Sequence, residues 1–209
     1  NYKKYKELNS GDVLTDIRIQ SCKEFSQFKK DKTRHELNQM TKLNTTSFDF
    51  GTVMNSRGTA MYFTSNRPAS TGDESEGEEV VGGDFSDIFV SEIDRKGNFG
   101  EPTLISDKVN TIDNEGSICF DGRGKTMFFT RCVREEKKNL GCDIYKVEVK
   151  SNKFGEPVKL EIKDHDSTHV GQPAASVDGK ALVFASNMAG GEGGVDLWIT
   201  TYDKKADSW

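Results

Sequence analysis

Asn44-Thr45-Thr46-Ser47-Phe48-Asp49-Phe50-Gly51, followed by Asn55-Ser56-Arg57-Gly58 and Met61-Tyr62-Phe63-Thr64, decides the fold because it comes back. It returns as Asn110-Thr111-Ile112-Asp113-Asn114-Glu115-Gly116-Ser117, Asp121-Gly122-Arg123-Gly124 and Met127-Phe128-Phe129-Thr130. A third copy runs Gly171-Gln172-Pro173-Ala174, Val177-Asp178-Gly179-Lys180 and Leu182-Val183-Phe184-Ala185. Each copy is followed by an acid, an aliphatic and an aromatic residue: Asp87-Ile88-Phe89, Asp143-Ile144-Tyr145 and Asp196-Leu197-Trp198. An aromatic corner closes the first two units, Phe99-Gly100-Glu101-Pro102 and Phe154-Gly155-Glu156-Pro157, and Trp209 stands where the third would begin.

Fixed-period self-similarity is the signature of a repeat architecture. Each unit reads as four short antiparallel strands separated by turn residues, the composition of one β-propeller blade. The runs Met61-Tyr62-Phe63, Met127-Phe128-Phe129 and Leu182-Val183-Phe184 lack polar alternation, which predicts second strands buried on both faces between neighbouring sheets. The Asp121-Gly122 and Asp178-Gly179 steps predict tight hairpins between first and second strands, with residues that tolerate positive φ. The units span about 36–98, 99–153 and 154–209, within a partial propeller over 31–209. Glu36 to Leu43 aligns with Pro102 to Val109 and is expected to be an outer strand, the clasp of a closed ring.

Composition narrows the rest. Hydrophobic residues make up 33% and charged residues 30%, and no apolar run approaches the 18 residues of a transmembrane helix. A net charge of −5 is the wrong sign for coating phosphate backbones, so nucleic acid is not expected as a partner. Residues 1–30 differ from the repeats. Tyr5, Leu8, Val13, Ile17, Ile19, Cys22, Phe25 and Phe28 recur at roughly helical spacing, which predicts one or two helices. Asn9-Ser10-Gly11-Asp12 is the turn between them, Asp12 or Thr15 the N-cap, and Lys29-Lys30 the last turn.

The Asp-Gly-(Lys/Arg), Tyr62-Phe63-Thr64-Ser65 and Gly193-Gly194-Val195-Asp196-Leu197-Trp198 wording resembles the WD40-like repeats called PD40, best known from Tol-type periplasmic propellers. Four further stretches, Asp16 to Cys22, Leu43 to Gly51, Phe129 to Cys132 and Ser186 to Trp198, resemble a narrower group. These are Bacteroidota periplasmic proteins in which a tetratricopeptide region leads into a PD40 propeller and then a peptidoglycan-binding OmpA-like domain, as in the type IX secretion system. The resemblance implies a six-bladed ring, a periplasmic, outer-membrane-associated location, and other secretion-complex proteins as partners. It also implies peptidoglycan contact only through a domain that these residues do not include. Three units close a ring poorly, since propellers use typically four to eight blades, so a piece of a larger protein is expected.

No catalytic, cofactor-binding or metal-binding residue is assigned. His165-Asp166-Ser167-Thr168-His169 holds the residue types of a hydrolase site, but triads are assembled from distant segments and no Gly-x-Ser-x-Gly elbow is present. The acidic run Asp73-Glu74-Ser75-Glu76-Gly77-Glu78-Glu79 reads as a solvated segment, with calcium as the alternative. Asp49 and Glu115 share one repeat position, and Asp87, Asp143 and Asp196 another, which suits acids anchoring turns or neighbouring blades. The expected function is a non-enzymatic secretion scaffold. The alternatives are a glycan- or calcium-binding lectin-like module, suggested by the acidic run with Trp198 and Trp209, and the propeller of a periplasmic hydrolase. Four cysteines without CxxC spacing spell out no zinc site. Cys132 and Cys142 are expected as cross-strand neighbours with Cα atoms about 4.4–6.8 Å apart. They form either a disulfide or two small buried thiols, with Cys22 and Cys119 free.

Overall fold

A computed structural model of the chain describes residues 2–31, 34–71, 85–135 and 138–209. The acidic run 73–79 lies outside them. The chain divides into two compact units, Asn1–Gln39 and Met40–Trp209, a boundary nine residues beyond the expected end of the helical segment.

The first unit is a helical hairpin, α1 (Tyr2–Leu8) and α2 (Val13–Lys30). Asp12 is the N-cap of α2: its carboxylate accepts from the Leu14 amide at 3.0 Å and the Thr15 hydroxyl at 2.5 Å, satisfying groups the first turn leaves unpaired. The Thr15 hydrogen bond is the main reason Asp12 ionises below the ordinary carboxylate range. Lys29 and Lys30 sit in the last turn, where cations complement the helix dipole. Thr15 is the buried residue of α2, while Leu14, Ile17, Phe25 and Phe28 are exposed.

The second unit is mainly β. Its first sheet has the order β1 (Asp49–Met54), β2 (Ala60–Ser65), β3 (Asp87–Glu92), β4 (Thr103–Leu104). In the second, β5 (Asn114–Phe120), β6 (Thr126–Cys132) and β9 (Asp143–Lys150) run side by side. Here β10 (Lys153–Phe154) and β11 (Val158–Lys159) both pair along the outer side of β9. A two-residue ladder, β7 (Arg134–Glu135) with β8 (Lys138–Asn139), projects between β6 and β9. The third sheet has three strands, β12 (Val170–Ala175), β13 (Ala181–Ser186) and β14 (Asp196–Thr201). All pairings are antiparallel. The outer strands therefore fall beyond the expected unit limits of 98 and 153, and the third sheet, whose unit reaches only to the start of its aromatic corner, has three strands.

The aromatic corners recur in space. Phe99 bridges Ile93, Phe154 pairs with Val149, and beside Trp209 Ser208 bridges Asp203. Glu36 to Leu43 is not a strand. β4 and β11 form by pairing with β3 and β9, the third strands of the sheets before them. Leu37, the counterpart of Thr103, is 98% exposed instead. Residues 40–44 form a turn in which Met40 O accepts from the amides of Leu43 and Asn44, as Ser106 O does from Val109 and Asn110.

Successive sheets pack face to face. Ala60, Tyr62 and Ile88 of the first meet Met127, Phe129 and Val147 of the second. The opposite face of the second, Phe128 and Ile144, meets Leu182 and Phe184 of the third. The first two second strands are thus buried on both faces. The third departs from the expectation: Val183, equivalent to Tyr62 and Phe128, is 38% exposed, as are Leu197 and Ile199 to a greater degree, because no described sheet covers that side.

One device repeats at both junctions. Each first strand carries a bulge between its two paired segments, where Gly51, Ser117 and Gln172 adopt φ of 63°, 50° and 54°. A bulge re-aims the backbone. Here it turns the amide of Ser117 onto the Thr64 hydroxyl at 3.2 Å and that of Gln172 onto Thr130 at 2.9 Å. The preceding glycines make the approach possible: a Cβ on Gly116 would lie 2.7 Å from Thr64 Cγ2, and one on Gly171 3.0 Å from Thr130 Cγ2. Ala185 replaces the threonine in the third sheet, so the device ends there. Thr64→Val should leave the Ser117 amide unpaired and cost about 1–3 kcal/mol, read as a lower urea midpoint at an unchanged slope.

The positive φ in the hairpins belongs to Gly58, Gly124 and Gly179, not to Gly122. Gly122 is small for a different reason: its amide donates to Val177 O at 3.0 Å, and a Cβ there would meet Val177 atoms at 2.6 Å.

Candidate functional site

The repeat acids sit at the heads of the first strands, where one sheet meets the next. Asp49 accepts from the Thr45 amide at 2.7 Å, the Ser65 hydroxyl at 2.7 Å and Arg67 Nη2 at 2.7 Å. Burial opposes its ionisation, but the bonds from Ser65, Thr45 and Arg67 together outweigh burial and hold Asp49 below the usual range. Glu115 repeats the pattern with the Thr111 amide at 3.0 Å, the Thr111 hydroxyl at 2.6 Å and Arg131 Nε at 2.7 Å. Each arginine also reaches back to the turn before it, Arg67 to Leu43 O and Arg131 to Val109 O, both at 2.8 Å.

The two arginines come from different repeat positions. Arg131 lies directly across from Glu115, whereas Ser65 lies across from Asp49. The shorter Asp is met by Ser65, whose hydroxyl in turn accepts from Arg67 Nε at 3.0 Å. Both guanidiniums lie over a stacked aromatic pair: Arg67 at 5.0 and 4.9 Å from the Phe63 and Phe89 ring centres, Arg131 at 5.5 and 4.6 Å from those of Phe129 and Tyr145. Such cation–π stacking keeps a half-desolvated guanidinium in place. In the third sheet Val170 and Ser186 occupy the acid and arginine positions.

Asp87 brings the two acid positions together. It is fully buried and accepts from the Thr71 amide at 2.5 Å, and it lies near enough to Glu115 for each carboxyl to influence the other's ionisation. Glu115 is 1% exposed. Burial, against the Thr111 hydrogen bonds and the charge of Arg131, pushes Glu115 up to about 7, and burial raises Asp87 as well. Burial thus disfavours the charged form of both carboxyls, and each charge raises the other's cost. Asp143, at the Asp87 position, pairs with Lys163 Nζ at 3.0 Å, and that amine also donates to Leu140 O and Asp166 O. Asp196 accepts from the Gly193 amide at 3.0 Å. The five acids are thus anchors of turns and sheet junctions. Lys163 and the arginine partners carry no sequence signal, since no common repeat position supplies them.

The His165–His169 segment is a loop closed on itself. His165 Nδ1 lies 2.9 Å from the Ser167 hydroxyl and accepts from the Ser167 amide at 3.2 Å, while the Thr168 hydroxyl donates to Asp164. His169 Nδ1 lies 3.2 Å from Cys142 Sγ. Trp198 and Trp209 pack against the core between the second and third sheets, Trp209 edge-on to Phe128 at 5.7 Å. Among the described residues, no group of three or more His, Cys, Asp or Glu is placed to hold a metal ion, and no helix is long and apolar enough to cross a membrane.

Cys132 and Cys142 are joined in a disulfide with Cα atoms 4.0 Å apart, closer than the expected range. They flank the opposed pair Arg131 and Asp143, and directly opposed antiparallel residues approach to about 4.5 Å. Cys22 and Cys119 are free. Burial pushes the Cys119 thiol up to about 11, which leaves it a weak nucleophile. Closing a loop of about ten residues restricts the unfolded chain by about 2–3 kcal/mol. Reduction of the native protein should therefore lower its stability by that amount, read by urea unfolding with and without dithiothreitol, and Cys132→Ser/Cys142→Ser should abolish the difference.

No family model and no curated protein matches the chain. Solved structures with similar geometry include a puromycin-hydrolyzing peptidase of Mycobacterium tuberculosis, 13% identical over 76% of this chain and 21% of that one, with a TM-score of 0.42. An endo-arabinase of Bacteroides thetaiotaomicron VPI-5482 is 12% identical over 78% of this chain and 58% of that one, also with a TM-score of 0.42. The chain thus spans about a fifth of the length of the first structure and less than two thirds of the second.

Proposed function

We propose that residues 40–209 are consecutive blades of a PD40-type β-propeller, part of a larger ring, and that they act without catalysis as a protein-interaction scaffold in an envelope-spanning, type IX-like secretion complex. The observation that carries this reading is the repeated junction. Thr64 with Ser117 and Thr130 with Gln172 make the same contact, so each sheet docks on the last by one rule. Such stacking yields a rigid body that presents variable turns at its rims, where binding residues concentrate. The acids and arginines of the repeat go into holding those junctions.

Two further features support the setting. The disulfide fits an oxidising compartment such as the periplasm. The exposed apolar side chains of α1 and α2 fit the end of a tetratricopeptide-like array, whose helices bury such faces against neighbouring repeats. Peptidoglycan contact is assigned to an OmpA-like domain elsewhere in the full protein. Affinity capture of the full-length protein from cell envelopes should enrich periplasmic and outer-membrane secretion components. Capture of none of them would refute the scaffold reading.

A further inference from the structure

A cleft of about 460 Å³ opens between the strand ends of the first and second sheets, away from the acid–arginine anchors. Three turns line it with residues 55–57, 123–126 and 148–152. They are held against one another, because a Cβ on Gly124 would lie 3.0 Å from Ser56 Oγ and the Val149 amide donates to Lys125 O at 2.7 Å. The last turn is fixed by positive φ at Ser151 and Asn152, 52° and 61°, the geometry that matches the twist of paired strands. The walls are preformed.

The charge of the cleft runs against that of the chain. Arg57, Arg123, Lys125 and Lys150 face one carboxylate, Glu148, in a protein whose net charge is −5. Glu148 is taken up by Lys150 at 2.8 Å. Arg57 and Arg123 occupy the same repeat position in adjacent sheets, and neither has an ion-pair partner among the described residues. Two unspent guanidinium forks in one cleft are suited to a carboxylate.

The floor adds a second, independent observation. Tyr62 is 3% exposed yet lines the cleft, and its hydroxyl has no hydrogen-bond partner among the described residues. Among the described residues the buried side-chain polar atom without a partner is Trp209 Nε1, so the Tyr62 hydroxyl is the part of that residue left open to the cleft, where a ligand can reach it. Its ring meets Phe120 edge-on at 5.1 Å, and Phe120 also lines the cleft. Ser56, Ser151 and Asn152 add hydroxyl and amide groups at the rim.

We infer that this cleft binds an acidic sugar, a pyranose carrying a carboxylate. The carboxylate lies between Arg57 and Arg123, one ring rests against Phe120, and its hydroxyls take up the Tyr62 hydroxyl and the rim. An aromatic floor ringed by small hydroxyl and amide donors fits a ring with many hydroxyls around one charge, and the volume suits one or two such rings.

Titration calorimetry of the chain at low ionic strength with digalacturonate, galactobiose and sodium acetate tests this. Digalacturonate should bind at least about tenfold tighter than either other compound, and raised salt should weaken it. Arg57→Ala/Arg123→Ala, at exposed turn positions, should cost about tenfold or more in affinity with an unchanged melting temperature. Tyr62→Phe keeps the ring and should cost a smaller factor. Equal binding of galactobiose, equal binding of acetate, no binding of digalacturonate, or a double arginine variant that binds like the parent would each overturn the assignment.

Discussion

Replacing Arg131 by Met is expected to cost about 3–5 kcal/mol at pH 8, because it strands two buried carboxyls without their cation. Glu115 and Asp87 are 1% and 0% exposed, and Arg131 supplies the neutralising contact at 2.7 Å. The loss should shrink at pH 5, where the pair takes up a proton. The parent protein shows the same chemistry more gently. Glu115 titrates at about 7 in the folded chain against a usual 4.5, so the folded state binds the extra proton between those values. The contribution of Glu115 to stability is then fully present below the lower value, falls as pH rises through the window, and is lower by about 3 kcal/mol above it, at roughly 1.36 kcal/mol per unit. Urea unfolding of wild type, Arg131→Met and Glu115→Gln from pH 5 to 8 reads this, and Glu115→Gln should flatten the profile. A wild-type protein that grows more stable towards pH 8 would show that Glu115 is held ionised. Arg67→Met should cost less, since Asp49 keeps the Ser65 and Thr45 hydrogen bonds and ionises readily.

Phe128→Ala is expected to lose about 3–5 kcal/mol, the range for emptying a buried aromatic site. Its ring is 1% exposed, shared between Leu182, Phe184 and Trp209. The same truncation at its repeat equivalent, Val183→Ala, should cost less than about 1 kcal/mol, because that side chain is partly in solvent already. The contrast is a test of stacking order. Comparable losses at both positions would mean that the outer face of the third sheet is covered.

Much of this was legible in the residues. The consecutive apolar positions Met61-Tyr62-Phe63 and Met127-Phe128-Phe129 marked strands covered on both sides, though the same pattern at Leu182-Val183-Phe184 did not, and the Asp12 cap with Lys29-Lys30 marks both ends of α2. The acids Asp49 and Glu115 could be paired as one repeat position, but not their cations. Arg67 and Arg131 arrive from different offsets because Asp and Glu differ by one methylene in reach. Glu36 to Leu43 was misread for a related reason: a strand needs a partner edge, and sequence similarity to Pro102–Val109 carries no information about whether one is present. The Arg57–Arg123 cleft was invisible as a cleft, since it depends on which turns of different sheets come together. The disulfide was half visible, because hairpin geometry places Cys132 beside Cys142 without stating the redox state.

The most direct test of the account is an in-frame deletion of residues 40–209 from the full-length gene, with secreted protein quantified against a strain producing the intact protein at equal level. The account predicts that secretion falls and that the shortened protein no longer co-purifies with the partners of the intact one. Undiminished secretion with the same co-purifying partners would contradict it, because the stacked sheets would then contribute no interaction surface to the complex.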